Sequence, residues 1–289
     1  MKEIIRKPAV AGSFYPDNPQ ELDKILTGLI NQSKKIPLKG GFKILIVPHA
    51  GIVFSGPTAA AGFKQIEGKN YSKIILLGAS HQAWFDYAAV FDKGEWETPL
   101  GKIEVDEDLA SAIIDKDAKI IAYTAVHNKE HSLEIELIFL QKVLKNFKIV
   151  PILLSQTGNE LIEKLAQKIA QNLDDQTLLV VSSDLSHYPP YEIANKVDSQ
   201  TIQAILDGQV KKFEKTIAGL ESAGWPNLQT AACGQAALKV ALKIGELGKL
   251  KFIKIKYQNS GDPPVGGQVP AGDKSQVVGY ASIIGVSSS

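Results

Sequence analysis

Lys73-Ile74-Ile75-Leu76-Leu77-Gly78-Ala79-Ser80-His81 carries the reading of the fold. An apolar run with no polar alternation suits a strand buried on both faces of a helix-covered sheet. Small residues follow, and then a histidine stands where the strand stops. The design recurs at Lys43 to Val47, followed by Pro48-His49-Ala50-Gly51, and at Thr177 to Val181, followed by Ser182-Ser183-Asp184-Leu185-Ser186-His187-Tyr188. Ala88 to Phe91, Phe147 to Leu154, Phe252 to Tyr257 and Val277 to Ile284 are further β-branched runs. Helical patterns fall between them at Pro57 to Ile66, Asp106 to Ile114, His131 to Leu144, Gly158 to Asn172, Tyr191 to Leu206 and Thr230 to Ile244. The alternation predicts an α/β fold: a central, mostly parallel sheet with helices on both faces and right-handed crossovers. Two stretches depart from it. Trp96 to Val105, with Thr98-Pro99-Leu100-Gly101, reads as a turn with a short antiparallel excursion. Ser260 to Ser275, rich in Gly and Pro, reads as a long loop between the last two strands, a surface connection first and a lid over a site as the alternative.

The 289 residues are compatible with one core, so residues 1–289 are expected to form a single domain. Thirty-two basic residues face 31 acidic ones, which leaves no global field for nucleic acid or anionic lipid. Arg6 is the only arginine, so the planar fork that reads phosphates and base edges is nearly missing. No apolar run reaches the ~18 residues of a spanning helix, and Lys2, Glu3, Arg6 and Lys7 interrupt any secretory pattern at the start. With Cys233 as the sole cysteine, no intrachain disulfide forms, and a cytosolic protein with a reduced thiol is the expectation.

The five histidines carry most of the chemical information. The carboxyl ends of parallel strands face one crevice, so His49, His81, Asp184 and His187 are expected at one edge, where imidazoles and a carboxylate serve a metal or acid–base chemistry. Each could instead cap a helix or bond a carbonyl. His127-Asn128-Lys129-Glu130-His131 matches the H-x-x-E-H pattern of inverted zinc peptidases, but the pattern is short and straddles a helix start, where capping by Glu130-His131-Ser132 is an equal alternative. Cys233, in Thr230-Ala231-Ala232-Cys233-Gly234, reads as part of an Ala-rich helix, either packed or, as a thiolate, a metal ligand.

In chain order, Pro8-Ala9-Val10-Ala11-Gly12-Ser13-Phe14-Tyr15-Pro16, Pro48-His49-Ala50-Gly51, Gly78-Ala79-Ser80-His81, Glu130-His131-Ser132-Leu133-Glu134, Ser182 to Tyr188, Cys233-Gly234, Tyr257 to Asp262 and Gly279-Tyr280 resemble the motifs of the Memo family over essentially the whole chain. The resemblance implies a fold similar to that of the extradiol, class III non-haem iron dioxygenases. It also implies a divalent metal, iron or copper ahead of zinc, held by His49, His81 and Cys233, with Asp184 and His187 as catalytic acid–base groups. A thiolate in place of the dioxygenase carboxylate argues against ring cleavage. Phe54 lacks the hydroxyl of a tyrosine common in the family. Microbial members are encoded beside an AMMECR-type protein and a radical SAM protein, which makes those two the expected partners. Eukaryotic members supply the alternative of an adaptor module that engages peptides.

Overall fold

The computed structural model describes residues 4–37, 40–263 and 272–287. Residues 264–271, the middle of the loop expected over Ser260 to Ser275, lie outside the described residues. Strands are β1 (Ile5–Arg6), β2 (Phe42–Val47), β3 (Lys73–Ala79), β4 (Ala88–Val90), β5 (Glu95–Thr98), β6 (Gly101–Glu104), β7 (Ile120–Ala122), β8 (Lys148–Leu154), β9 (Thr177–Ser182), β10 (Lys251–Asn259) and β11 (Gly279–Val286). Helices are α1 (Pro19–Gln32), α2 (Ile52–Phe63), α3 (Glu107–Ile113), α4 (Glu134–Val143), α5 (Asn159–Gln171), α6 (Tyr191–Leu206), α7 (Val210–Ser222) and α8 (Gln235–Gly248).

Eight strands form the main sheet in the order β10-β11-β2-β9-β3-β8-β4-β7. Its centre, β2-β9-β3-β8, is parallel. The β10–β11, β11–β2 and β8–β4 pairs are antiparallel, so the sheet is a parallel core with mixed flanks. The expected excursion exists as the antiparallel β5–β6 pair, to which β1 adds in parallel.

Side-chain alternation divides the core into two layers. Ile44, Ile46, Ile75, Leu77, Leu179 and Val181 point to the face covered by α3, α5, α6, α7 and α8. Leu45, Val47, Ile74, Leu76, Leu178 and Val180 point to the face covered by α1, α2 and α4. Strands covered on both sides cannot alternate polar and apolar residues, which is why the sequence shows unbroken runs. Helix α1, absent from the expected set, starts at an N-cap Asn18 that accepts from the Glu21 amide and buries Leu22, Leu26 and Ile30 along one stripe.

Two boundaries differ from expectation in ways that shape the site. Helix α2 starts at Ile52 rather than Pro57, because the Gly51 carbonyl accepts the amides of Phe54 and Ser55. Helix α8 starts at Gln235 rather than Thr230, so Cys233 lies in the turn before it and not on a helix. Thr230 bridges to His187, and the Cys233 amide donates to the Asp184 carbonyl. Gly234 makes this approach feasible: a Cβ there would lie 2.7 Å from Ser183 Cβ and 2.8 Å from the Ser182 carbonyl oxygen. Gly234→Ala is therefore expected to lower stability by about 1–3 kcal/mol, as overpacking against backbone does. Chemical denaturation measures it, and an unchanged midpoint would contradict the close packing.

Candidate metal centre

The carboxyl ends of β2, β3 and β9 deliver the site. Parallel pairing aligns Val47 with Ser182, and the Ser183 amide donates to the Val47 carbonyl, so His49 and Asp184 emerge side by side. The Asp184 carboxylate accepts the His49 amide at 2.9 Å. His81 leaves β3 on the other side of β9. The turn of residues 130–133 packs on β3 at Gly78, where a Cβ would meet Leu133 Cδ2 at 2.7 Å, and Ser132 Oγ donates to the Ala79 carbonyl at 2.8 Å. This turn brings His131 in.

His49, His81 and His131 each offer a ring nitrogen, and the three nitrogens lie within 4.8 Å of one another. Ring centroids are 5.1 Å apart for His49 and His81, 5.5 Å for His49 and His131, and 4.8 Å for His81 and His131. Three atoms so spaced can lie at most about 2.8 Å from a common centre, against ~2.0–2.1 Å for a zinc–imidazole bond, so side-chain shifts of under an ångström complete the fit. Exposure rises across the cluster from 2% for the His49 side chain through 18% for His131 to 29% for His81, so the centre opens on the His81 side.

Hydrogen bonds orient the rings of His49 and His81, and a carboxylate contact faces that of His131. His49 Nδ1 lies 2.7 Å from Ser182 Oγ, which in turn lies 2.7 Å from Glu136 Oε1 and donates within a network that includes the Ser132 carbonyl at 2.6 Å. Glu130 Oε1 is 3.0 Å from His81 Nδ1 and 3.3 Å from His131 Nδ1. The same carboxylate accepts the backbone amides of His81, His131 and Ser132. With every Nδ1 beside a hydroxyl or carboxylate, Nε2 is the nitrogen that faces a metal, on His49 shared with the Cys233 thiol, the arrangement by which outer carboxylates and hydroxyls fix ligand tautomers.

Electrostatics favour the neutral form at His49 and His131 and the charged form at His81. Burial, and then the charges of His81 and His131, push His49 well below the ordinary imidazole range, and burial also lowers His131. Burial works against charge on His81 too, but the Glu130 hydrogen bond and charge outweigh it and raise that imidazole. Glu130 itself falls to about 2, because His81 and His131 overcome the burial that would raise it.

Other residues singled out in the sequence take these places. Asp184 Oδ2 lies 4.0 Å from His49 Nε2, and burial raises its carboxyl to about 7 despite the amides of His49 and Ala50. His187 Nδ1 is 3.0 Å from the Leu185 carbonyl, and burial lowers its basicity. Cys233 Sγ lies 3.4 Å from His49 Nε2 and 3.3 Å from the Asp184 amide that donates to it. Burial, with Asp184 adding to it, holds the Cys233 thiol far above its ordinary value, so it is a neutral thiol. Cys233 thus touches the His49 end of the cluster, while the three mutually close donors are all imidazoles. His127 stands apart: it is fully buried in a short 3-10 turn, bonded through Nε2 to the Ala89 carbonyl at 3.1 Å and set edge-on to Phe91 and Trp96. It shares no helix with His131, so H-x-x-E-H here is not a helical zinc motif.

The Memo-like protein family profile matches residues 6–284. The chain belongs to the Memo family. MEMO1 family proteins of Nitrosopumilus maritimus (34% identical, 97% of this chain and 99% of that one) and Methanobrevibacter smithii (36%, 96% and 99%) are similar end to end. The crystal structure of an uncharacterized protein, JW3007, from Escherichia coli K12 superposes with a TM-score of 0.52 at 12% identity over 83% of this chain and 99% of that one, a likeness of fold alone. No helix among the described residues is long and apolar enough to cross a membrane.

Proposed function

We propose that this Memo-family chain is a mononuclear metalloprotein in which His49, His81 and His131 hold one divalent transition metal, iron or copper with zinc able to compete, in the service of redox chemistry. The observation that carries the reading is the convergence of three imidazoles whose Nδ1 atoms each lie beside Glu130 or Ser182. Imidazole donors suit these metals, and with Cys233 beside His49 the site offers a soft donor to a thiophilic ion that can displace the thiol proton. Such an ion supplies Lewis acidity and electron transfer when bound. The chain's own groups move protons: Asp184, near 7, takes or gives one beside His49, and neutral His187, its Nδ1–H donating to the Leu185 carbonyl, keeps Nε2 as a base. An AMMECR-type protein and a radical SAM protein in the cytosol are the partners proposed.

A second reading, a binding module, is favoured by one observation. Phe54, Tyr188 and above all Trp84, 82% exposed, lie within a few residues of His49, His187 and His81, and exposed aromatics are frequent anchors of interfaces. Metal analysis of protein purified without oxygen or chelator separates the two. One tightly held iron or copper per chain, lost in His49→Ala, supports the metalloprotein; partner capture that survives His49→Ala and His81→Ala but fails in Trp84→Ala supports the module.

The direction of the His81 shift gives a pH dependence. A proton on Nε2 competes with metal, and His81, raised by Glu130, takes its proton first as pH falls, while His49 and His131, both lowered, stay neutral. Where the Cys233 thiol keeps its proton, affinity for zinc is expected to level off above the raised His81 value and to fall by up to tenfold per pH unit below it, where His81 releases one proton on binding; displacement of the thiol proton would add a second. Calorimetry in two buffers of different ionisation enthalpy measures that proton; a pH-independent affinity across the neutral range would contradict it.

A further inference from the structure

Arg6 is the only arginine of the chain, and it is 1% exposed. Its Nε donates to the His127 carbonyl at 3.1 Å, one Nη donates to the Glu130 carbonyl and the other meets the Glu134 carboxylate, while the guanidinium lies 4.5 Å over the Trp96 ring. The fork thus holds the backbone at His127 and Glu130, and through the Glu134 carboxylate the helix that follows the turn carrying His131. Glu134 is gripped from the same N-terminal stretch by the amides of Ala9 at 2.7 Å and Val10 at 3.1 Å and by the Tyr15 hydroxyl. Next to Tyr15, the Phe14 ring stands edge-on to His131 at 5.0 Å, and the Phe14 carbonyl accepts the Ile52 amide at 2.9 Å, just after the loop that carries His49.

We infer that residues 6–15 are a positioning element of the metal centre: Arg6 and Glu134 fix the Glu130–His131 turn, Phe14 ties it to the His49 loop, and together they set the separation of His131 from His49. The inference rests on the metal reading above. A lysine cannot replace Arg6, because one ammonium cannot meet two carbonyls and a carboxylate in the planar geometry of the fork. The stretch is also part of the folding core, since Arg6 and Glu134 are a buried pair, so loss of stability alone would not distinguish positioning from glue.

Zinc affinity and the ligand-field spectrum of the cobalt(II) form, read in a double-mutant cycle, make the distinction. Arg6→Lys is expected to weaken zinc by roughly 10–100-fold, the usual cost of disturbing the outer partners of a ligand, and to alter the cobalt(II) bands. In a His131→Ala background the same change is expected to cost less, because one ring it positions is gone and only the effect through Glu130 on His81 remains. Tyr15→Phe, which removes one hydroxyl and keeps the ring, provides a milder variant if Arg6→Lys does not fold, with a smaller loss that also shrinks without His131. Equal losses in both backgrounds, or parent-like affinity and spectra in the folded variants, would overturn the positioning role while leaving the metal site standing. Parent protein that binds neither zinc nor cobalt(II) would overturn the metal reading, and this inference with it.

Discussion

Glu130→Ala is expected to lower metal affinity by more than the ~10–100-fold that losing a ligand's outer hydrogen-bond partner costs, because one carboxylate orients two of the three imidazoles. The change also leaves the amides of His81, His131 and Ser132 without their acceptor, so the metal-free protein is expected to lose about 1–3 kcal/mol for each amide that water does not reach. Glu130→Gln separates the two effects. It retains an oxygen for the amides but no charge, so stability recovers more than affinity, and His81 loses the partner that raises it. Isothermal titration with zinc and urea unfolding of the same samples measure both quantities. A Glu130→Ala protein with parent affinity would show that the carboxylate does not orient the ligands.

His131→Ala and His127→Ala are expected to diverge, although the two histidines are four positions apart in one apparent motif. His131 belongs to the imidazole cluster, so its loss is expected to cost well over tenfold in affinity with little change in the stability of the metal-free fold, since its side chain is partly exposed. His127 is a core residue between Phe91 and Trp96, so its truncation is expected to destabilise the fold by about 2–4 kcal/mol through the cavity it leaves and to keep metal stoichiometry unchanged in the folded fraction. Metal content per folded chain decides it. Equal metal loss from both would restore the peptidase-like pairing of His127 with His131.

The meeting of His49 with His81 is legible in the sequence because it follows from a rule about topology: parallel strands end on one edge, and a residue just past the strand faces the crevice there. The unbroken apolar runs of β2, β3, β8 and β9 likewise announce a sheet covered on both sides. His131 cannot be found that way, since it follows no strand. It enters through a turn that packs on Gly78, and the signal available is Glu130, a carboxylate next to a histidine that ends buried among amides. Ala-rich sequence places Cys233 on a helix, but tertiary pairing of Thr230 with His187 and the close approach at Gly234 override that propensity. The Arg6–Glu134 pair spans 128 positions, and nothing local in either segment marks it. Composition does offer one hint: an arginine alone among 32 basic residues has a task lysine cannot perform.

Whether imidazoles from His49, His81 and His131 make the metal site is tested most directly by X-ray absorption at the metal edge of the zinc-loaded protein. One zinc per chain is expected, with three imidazole nitrogens at ~2.0–2.1 Å, the imidazole scattering falling to two rings in His131→Ala; any sulfur at ~2.3 Å disappears in Cys233→Ser while the three rings remain. A shell of two imidazoles and one sulfur in the parent, unchanged by His131→Ala, would contradict it and make His49, His81 and Cys233 the ligands.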